Sequence, residues 1–168
     1  YRELSFATES KPGVFSIAAE ALEKATKESG TLASFTRALD AVAAEKSLDR
    51  VSNMLEVIFA GALALRASDI HFEPEEEKVL LRLHIDGVLS AASFFDPATY
   101  HQLNSRVKLL SGVKLNVTHE AQDGRFSIEK GSSEIEIRAS FIPSNYGETI
   151  VLRVLNPVVL GHAQGFFV

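Results

Sequence analysis

Cysteine and tryptophan are absent from this 168-residue sequence. Without cysteine there can be no disulfide, no thiolate metal site and no cysteine nucleophile, and the composition suits a reducing compartment. Basic residues are in deficit: 17 Lys and Arg stand against 22 Asp and Glu, leaving a formal charge of −5 and a pI near 5.6. No run of five basic residues occurs, so the electrostatic footprint of a nucleic-acid grip is missing and no nucleic-acid partner is expected. Long apolar runs are missing too. The longest, Met54–Leu65, is interrupted by Glu56 and falls far short of the ~20 residues of a bilayer-spanning helix. Methionine occurs once, at Met54, and the sequence finishes on Gly165-Phe166-Phe167-Val168; a piece of a longer protein is expected. His71, His84, His101, His119 and His162 are scattered without metal-site spacing, and Glu73, Glu75, Glu76 and Glu77 lack the pattern of a calcium loop. Neither G-x-S-x-G nor G-x-x-x-x-G-K-[ST] is present, so a serine nucleophile and unaided nucleotide hydrolysis are not expected of this chain.

What is present is enough apolar residue, 46%, for one well-formed core. Residues Tyr1 to Lys11 read as irregular. After Pro12-Gly13, the positions Val14, Ala18, Ala21, Leu22 and Ala25 recur at helical spacing up to Gly30, and Thr31 caps a second helix carrying Leu32, Phe35, Leu39 and Val42. Ser47 caps a third, with Leu48, Val51, Leu55, Ile58, Phe59 and Ala62 as its apolar stripe. From Asp69 the period becomes two: Ile70 and Phe72, then Val79, Leu81, Leu83 and Ile85, then Asp86-Gly87 turning into Val88-Leu89. Asp96-Pro97 opens a helix with Tyr100, Leu103, Val107 and Leu110 inward and Gly112 at its end, followed by an extended Val113 to Ala121. Hairpin-length connections imply an α+β fold, a twisted and mostly antiparallel sheet with helices packed on one side, preceded by an N-terminal helical segment.

The chain is organised around Gln122–Arg153. Phe126 and Ile128 alternate with polar residues, as do Ile135, Ile137, Ala139 and Phe141, and a two-residue turn at Gly131-Ser132 fixes the register between them. That register pairs Ile128 with Ile135, Phe126 with Ile137 and Arg125 with Arg138. Two guanidiniums directly opposite one another are unfavourable by roughly 0.2–1 kcal/mol. A third strand, Glu148–Leu155, brings Arg153 toward the same polar face. Arginines gathered on a rigid sheet, without an obvious carboxylate at that end, suit phosphate oxygens. The plainer reading pairs Arg125 with Asp123 or Glu136 and lets Arg153 snorkel over the sheet.

Five stretches carry a resemblance: Ala67-Ser68-Asp69-Ile70-His71-Phe72-Glu73-Pro74, Leu81–Leu89, Ser105–Gly112, Gln122-Asp123-Gly124-Arg125, and Pro143–Glu148 continuing into Val151–Leu155. In this order, over about residues 48 to 157, they closely resemble the type II secretion and type IV pilus assembly ATPases. The resemblance implies that residues 47–157 are the second N-terminal domain of such an ATPase, a PAS-like module before a RecA-like catalytic domain. Residues 1–46 are then a helical linker or the remnant of a preceding domain, without the motifs of the family's cyclic-di-GMP-binding first domain, and residues 158–168 a linker toward the catalytic half. It further implies a cytoplasmic homohexamer held against the inner membrane through platform, secretion or pilus-assembly proteins. ATP with Mg2+ would lie in the cleft between this module and the catalytic domain, with Arg125 and Arg138 at its phosphates and Arg153 as a third candidate. No nucleotide is expected to stay on this chain alone. One departure is Val117-Thr118-His119-Glu120-Ala121, where the family usually shows a basic pair and a proline. The rival reading is a PAS-type sensor or protein-docking module with no part in hydrolysis.

Overall fold

The structure, a computed structural model, describes residues 13–28 and 30–155; the expectations for Tyr1–Lys11, for Gly165–Val168, for His162 and for a linker at 158–168 lie outside them. In chain order the elements are β1 (Val14–Ile17), α1 (Ala19–Glu28), α2 (Leu32–Ala43), α3 (Arg50–Ala64), β2 (Asp69–Pro74), β3 (Val79–Ile85), β4 (Val88–Phe95), α4 (Pro97–Ser111), β5 (Gln122–Lys130), β6 (Ser133–Ser144) and β7 (Gly147–Leu155). The strands form one seven-stranded sheet in the order β1-β5-β6-β7-β2-β3-β4. All neighbours are antiparallel except β1 and β5. This is the α+β architecture that the strand alternation implied.

Alternation explains which face is covered. Phe126, Ile128, Ile135, Ile137, Ala139, Phe141, Ile150, Leu152, Ile70, Phe72, Val79, Leu81 and Leu83 all point to the helices and are buried. From the helical side come Phe35, Leu39, Met54, Leu55, Ile58, Phe59, Leu103 and Val107, each with no exposed surface. Aromatic rings stitch the layers together: Phe59 meets Phe126 at 5.7 Å between ring centroids, and Phe72 meets Tyr100 at 6.0 Å. The opposite face of the sheet carries Arg125, Arg138, Arg153, Arg82 and their polar neighbours.

The structure corrects four local expectations. Val14–Ile17 is a strand and not the first turn of a helix, pairing in parallel with Ser127–Lys130 of β5. Aromatic and β-branched residues suit a pleated edge, and the Phe15 ring stands edge-on to Phe59 at 5.1 Å; the helix begins only at Ala19. Second, Ser47 does not cap α3. Its Oγ accepts from the backbone N–H of Asp49 in a turn, the helix starts at Arg50, and Leu48 is left wholly exposed. Third, β4 runs on from Val88-Leu89 to Phe95, with a register shift where it passes Leu81 and Arg82. Fourth, the segment from Val113 to Ala121 is a series of turns and not an extended run. It wraps the end of Lys108, a residue left out of the sequence-derived inner face of α4. The α4 caps are as read: Asp96 accepts from the Thr99 N–H at 2.6 Å and the helix ends at Gly112.

Candidate functional site: an arginine row across the sheet

The β5–β6 hairpin has the register that its turn demands. Gly131 takes φ of 58°, as the first position of a tight two-residue turn requires, and Arg125 lies opposite Arg138. Beyond the hairpin, Arg138 lies opposite Arg153 on β7, Arg153 opposite Asp69 on β2, and Asp69 opposite His84 on β3. Directly paired residues share a face. One row therefore crosses five strands as Arg125, Arg138, Arg153, Asp69, His84, with about 10 Å between the first and third strands.

The three arginines are not held alike. Arg125 and Arg138 are largely exposed, at 77% and 68% of their side-chain surface. Their nearest acid is Glu136, with Oε2 3.9 Å from Arg125 Nη1 and 3.8 Å from Arg138 Nε. Those distances give a shared counter-charge without a hydrogen bond, and Glu136 Oε2 is buried with no hydrogen-bond partner among the described residues. Asp123, the other acid considered from the sequence, accepts instead from Ser140 Oγ at 2.9 Å. Arg153 does have a carboxylate at its end of the sheet. Its Nε donates to Asp69 Oδ1 at 2.9 Å, and that bond, reinforced by the charge of Asp69, raises the guanidinium pKa above its ordinary value. The expectation of no acid at that end is thus corrected: Asp69 precedes Arg153 by 84 residues, and only strand pairing brings them together. Arg82, on the same open face, shows what full pairing looks like. Its Nη2 donates to Glu73 Oε1 and Oε2 at 2.8 and 3.0 Å and its Nε to Oε1 at 3.1 Å.

Neighbouring residues on α4, β7 and β5 itself support the strand that carries Arg125. Gly124 passes so close to α4 that a Cβ there would sit 2.4 Å from the Ser111 carbonyl oxygen and 2.9 Å from Val113 Cγ1. The Gln122 side chain accepts from the Lys114 N–H at 3.0 Å and donates to the carbonyls of Lys114 and Val117. Lys108 is fully buried, its ammonium 2.6 Å from Glu148 Oε1 at the start of β7 and donating to the carbonyls of Val117 and Leu115. Tyr100 Oη donates to the Glu148 carbonyl, and Asn104 Nδ2 to Glu148 Oε1 at 3.1 Å. Burial, and then the Glu148 charge, push the Tyr100 pKa up well above the ordinary phenol value. Periodicity left Lys108 and Glu148 unmarked, because a buried ion pair carries no period of its own.

Chemically, the arginine end of the row offers two exposed guanidiniums and one tethered to Asp69, all cationic donors that keep their protons. That suits holding an anion and not abstracting a proton. Among the described residues, no helix is long and apolar enough to cross a membrane. Residues 44–162 match the family model described as "Type II/IV secretion system protein". Among curated relatives, "Type II secretion system protein E" of Pectobacterium carotovorum subsp. carotovorum is 34% identical over 106 residues, 63% of this chain and 21% of that protein. "Protein transport protein HofB homolog" of Escherichia coli K12 is 33% identical over 117 residues, covering 70% of this chain and 25% of its own length. "Type IV pilus assembly ATPase PilB" of Thermus thermophilus is 36% identical over 108 residues, 60% of this chain and 12% of that protein. The chain spans no more than about a quarter of the length of these relatives. With the family model matched across most of its length, this chain belongs to the type II/IV secretion system protein family.

Proposed function

We propose that this chain is the N-terminal, nucleotide-clamping region of a secretion or pilus-assembly ATPase, and that Arg125 and Arg138, with Arg153 beside them, bind the phosphates of ATP when a catalytic domain closes on the open sheet face. The observation that carries this reading is the row itself. Three arginines stand in register on adjacent strands, and Arg125 and Arg138 have no hydrogen-bonded acid among the described residues. Stacking like charges costs stability, and an anion spanning the row offsets that cost. Guanidiniums held against phosphate oxygens in the closed state stabilise charge that builds during phosphoryl transfer. Mg2+ would arrive with the nucleotide and be ligated outside this chain, since the arginines present cations and the carboxylate beside them, Asp69, is engaged by Arg153 and the Ser68 hydroxyl. The full-length protein would then work as a cytoplasmic hexamer docked on inner-membrane assembly proteins, with hydrolysis coupled to domain motion.

Arg125→Ala and Arg138→Ala, placed in the full-length protein, should leave hexamers intact by sizing and lower ATP turnover on the order of a hundredfold, the scale of one lost transition-state donor. Unchanged turnover in both variants would sink the assignment. The rival sensor reading rests on a groove of about 570 Å3 among α1, α2 and α3, floored by Ala21, Ala25, Ala38 and Ala60; a small molecule copurifying there would move the assignment toward it.

A further inference from the structure

Asp69 stands where an anion site should not want a carboxylate, yet its setting is built with care. The residue before it is fixed between two strands: the Ser68 N–H donates to the His84 carbonyl and the Val154 N–H to the Ser68 carbonyl, both at 2.9 Å. Its side chain is nine-tenths buried. Ser68 Oγ lies 3.4 Å from Asp69 Oδ2 and 2.7 Å from His84 Nδ1, and His84 Nδ1 is 3.7 Å from the same Oδ2. With one oxygen occupied by this Ser68–His84 pair, the other faces Arg153 alone. It takes the Nε–H of Arg153, so both terminal nitrogens of that guanidinium carry no hydrogen bond among the described residues, while the side chain as a whole stays 65% exposed.

We propose that Asp69 is a positioning residue for the phosphate site: by gripping Arg153 through Nε, it presents the Nη1/Nη2 edge of that arginine toward the row, pre-oriented for phosphate oxygens. The inference rests on the phosphate reading above and deepens it, giving the third arginine a role distinct from its neighbours. Arg125 and Arg138, exposed and without a hydrogen-bonded acid among the described residues, order on binding; Arg153 is ordered beforehand. Pre-orientation removes an ordering cost that each flexible side chain otherwise incurs. The sign of the effect separates this from simple electrostatics, because deleting a negative charge beside an anion site should tighten binding unless that charge does structural work.

The test titrates inorganic tripolyphosphate into the full-length protein, by calorimetry and by the Nε–H resonances of its arginines. Asp69→Ala should weaken binding roughly twofold to tenfold, the scale of one side chain's ordering, although it removes an acid; Asp69→Asn, which still accepts from Nε, should largely restore it. Arg153→Lys keeps the charge on an exposed residue but has no Nε to grip, and should lose as much affinity as Arg153→Ala; it serves if Asp69→Ala folds poorly. In the wild type, the Arg153 Nε–H should be protected from exchange before phosphate is added, and those of Arg125 and Arg138 only afterwards. Unchanged or tighter binding by Asp69→Ala, or wild-type binding by Arg153→Lys, overturns the positioning role, provided Arg125→Ala and Arg138→Ala weaken binding in the same assay. If those two also bind as wild type, the phosphate reading falls and this inference falls with it.

Discussion

Lys108 and Glu148 give the sharpest test of how this fold is held around its site. The Lys108 ammonium has three acceptors, Glu148 Oε1 at 2.6 Å and the carbonyls of Val117 and Leu115 at 3.0 and 3.4 Å, and Lys108 retains 2% of its side-chain exposure. Replacing it by methionine fills nearly the same volume and keeps contact with Phe141, whose ring centroid lies 5.9 Å from Nζ. What is lost is the charge opposite a buried carboxylate. Removing one partner of a buried pair costs about 3–5 kcal/mol, roughly a fifth or more of the ~5–15 kcal/mol that typically holds a domain folded. For a chain of this size that lowers the thermal midpoint on the order of 10 °C. The cost should shrink when Glu148→Leu is added, since neither charge is then stranded. Urea denaturation of the two single variants and the double variant gives the coupling directly, and it should exceed about 2 kcal/mol. A single-variant loss below about 1 kcal/mol, or strictly additive losses, would refute the reasoning, because the pair would then be solvated and not buried.

Two further outcomes follow from the same region. Gly124→Ala should destabilise the chain by about 1–3 kcal/mol, since its Cβ meets the Ser111 carbonyl, a backbone atom that cannot swing aside; chemical denaturation that shows no shift in midpoint would mean α4 and β5 are free to separate. Tyr100, whose pKa is raised by burial, should stay protonated as pH climbs past the ordinary phenol value. The unfolded chain ionises there first, so stability is complete below pH about 10 and falls above it, by at most about 1.4 kcal/mol per pH unit. Tyrosinate absorbance, compared with that of Tyr100→Phe, should therefore show the Tyr100 phenol titrating only together with unfolding; its titration in the folded protein would contradict the burial of Tyr100.

The β5–β6 hairpin was determined by sequence alone. Alternation at Phe126, Ile128, Ile135 and Ile137 and one turn glycine specify the pairing to the residue, so Arg125 opposite Arg138 was legible without coordinates. The same holds for the ends of α4, where Asp96 and Gly112 act on backbone groups within a few positions of themselves. These features are local, and periodicity and turn chemistry act over short stretches of chain. Tertiary structure decided the rest. Whether Val14–Ile17 became helix or strand depended on a free edge of β5 more than a hundred residues away, and a short apolar run satisfies either pattern. Lys108 reads as a solvent-facing residue until the turns after Gly112 fold back to offer it carbonyls. The partner of Arg153 was invisible for the same reason: which strand lies beside β7 is set by the apolar faces that must be buried together, and that choice, made across 84 residues of chain, is what delivers Asp69.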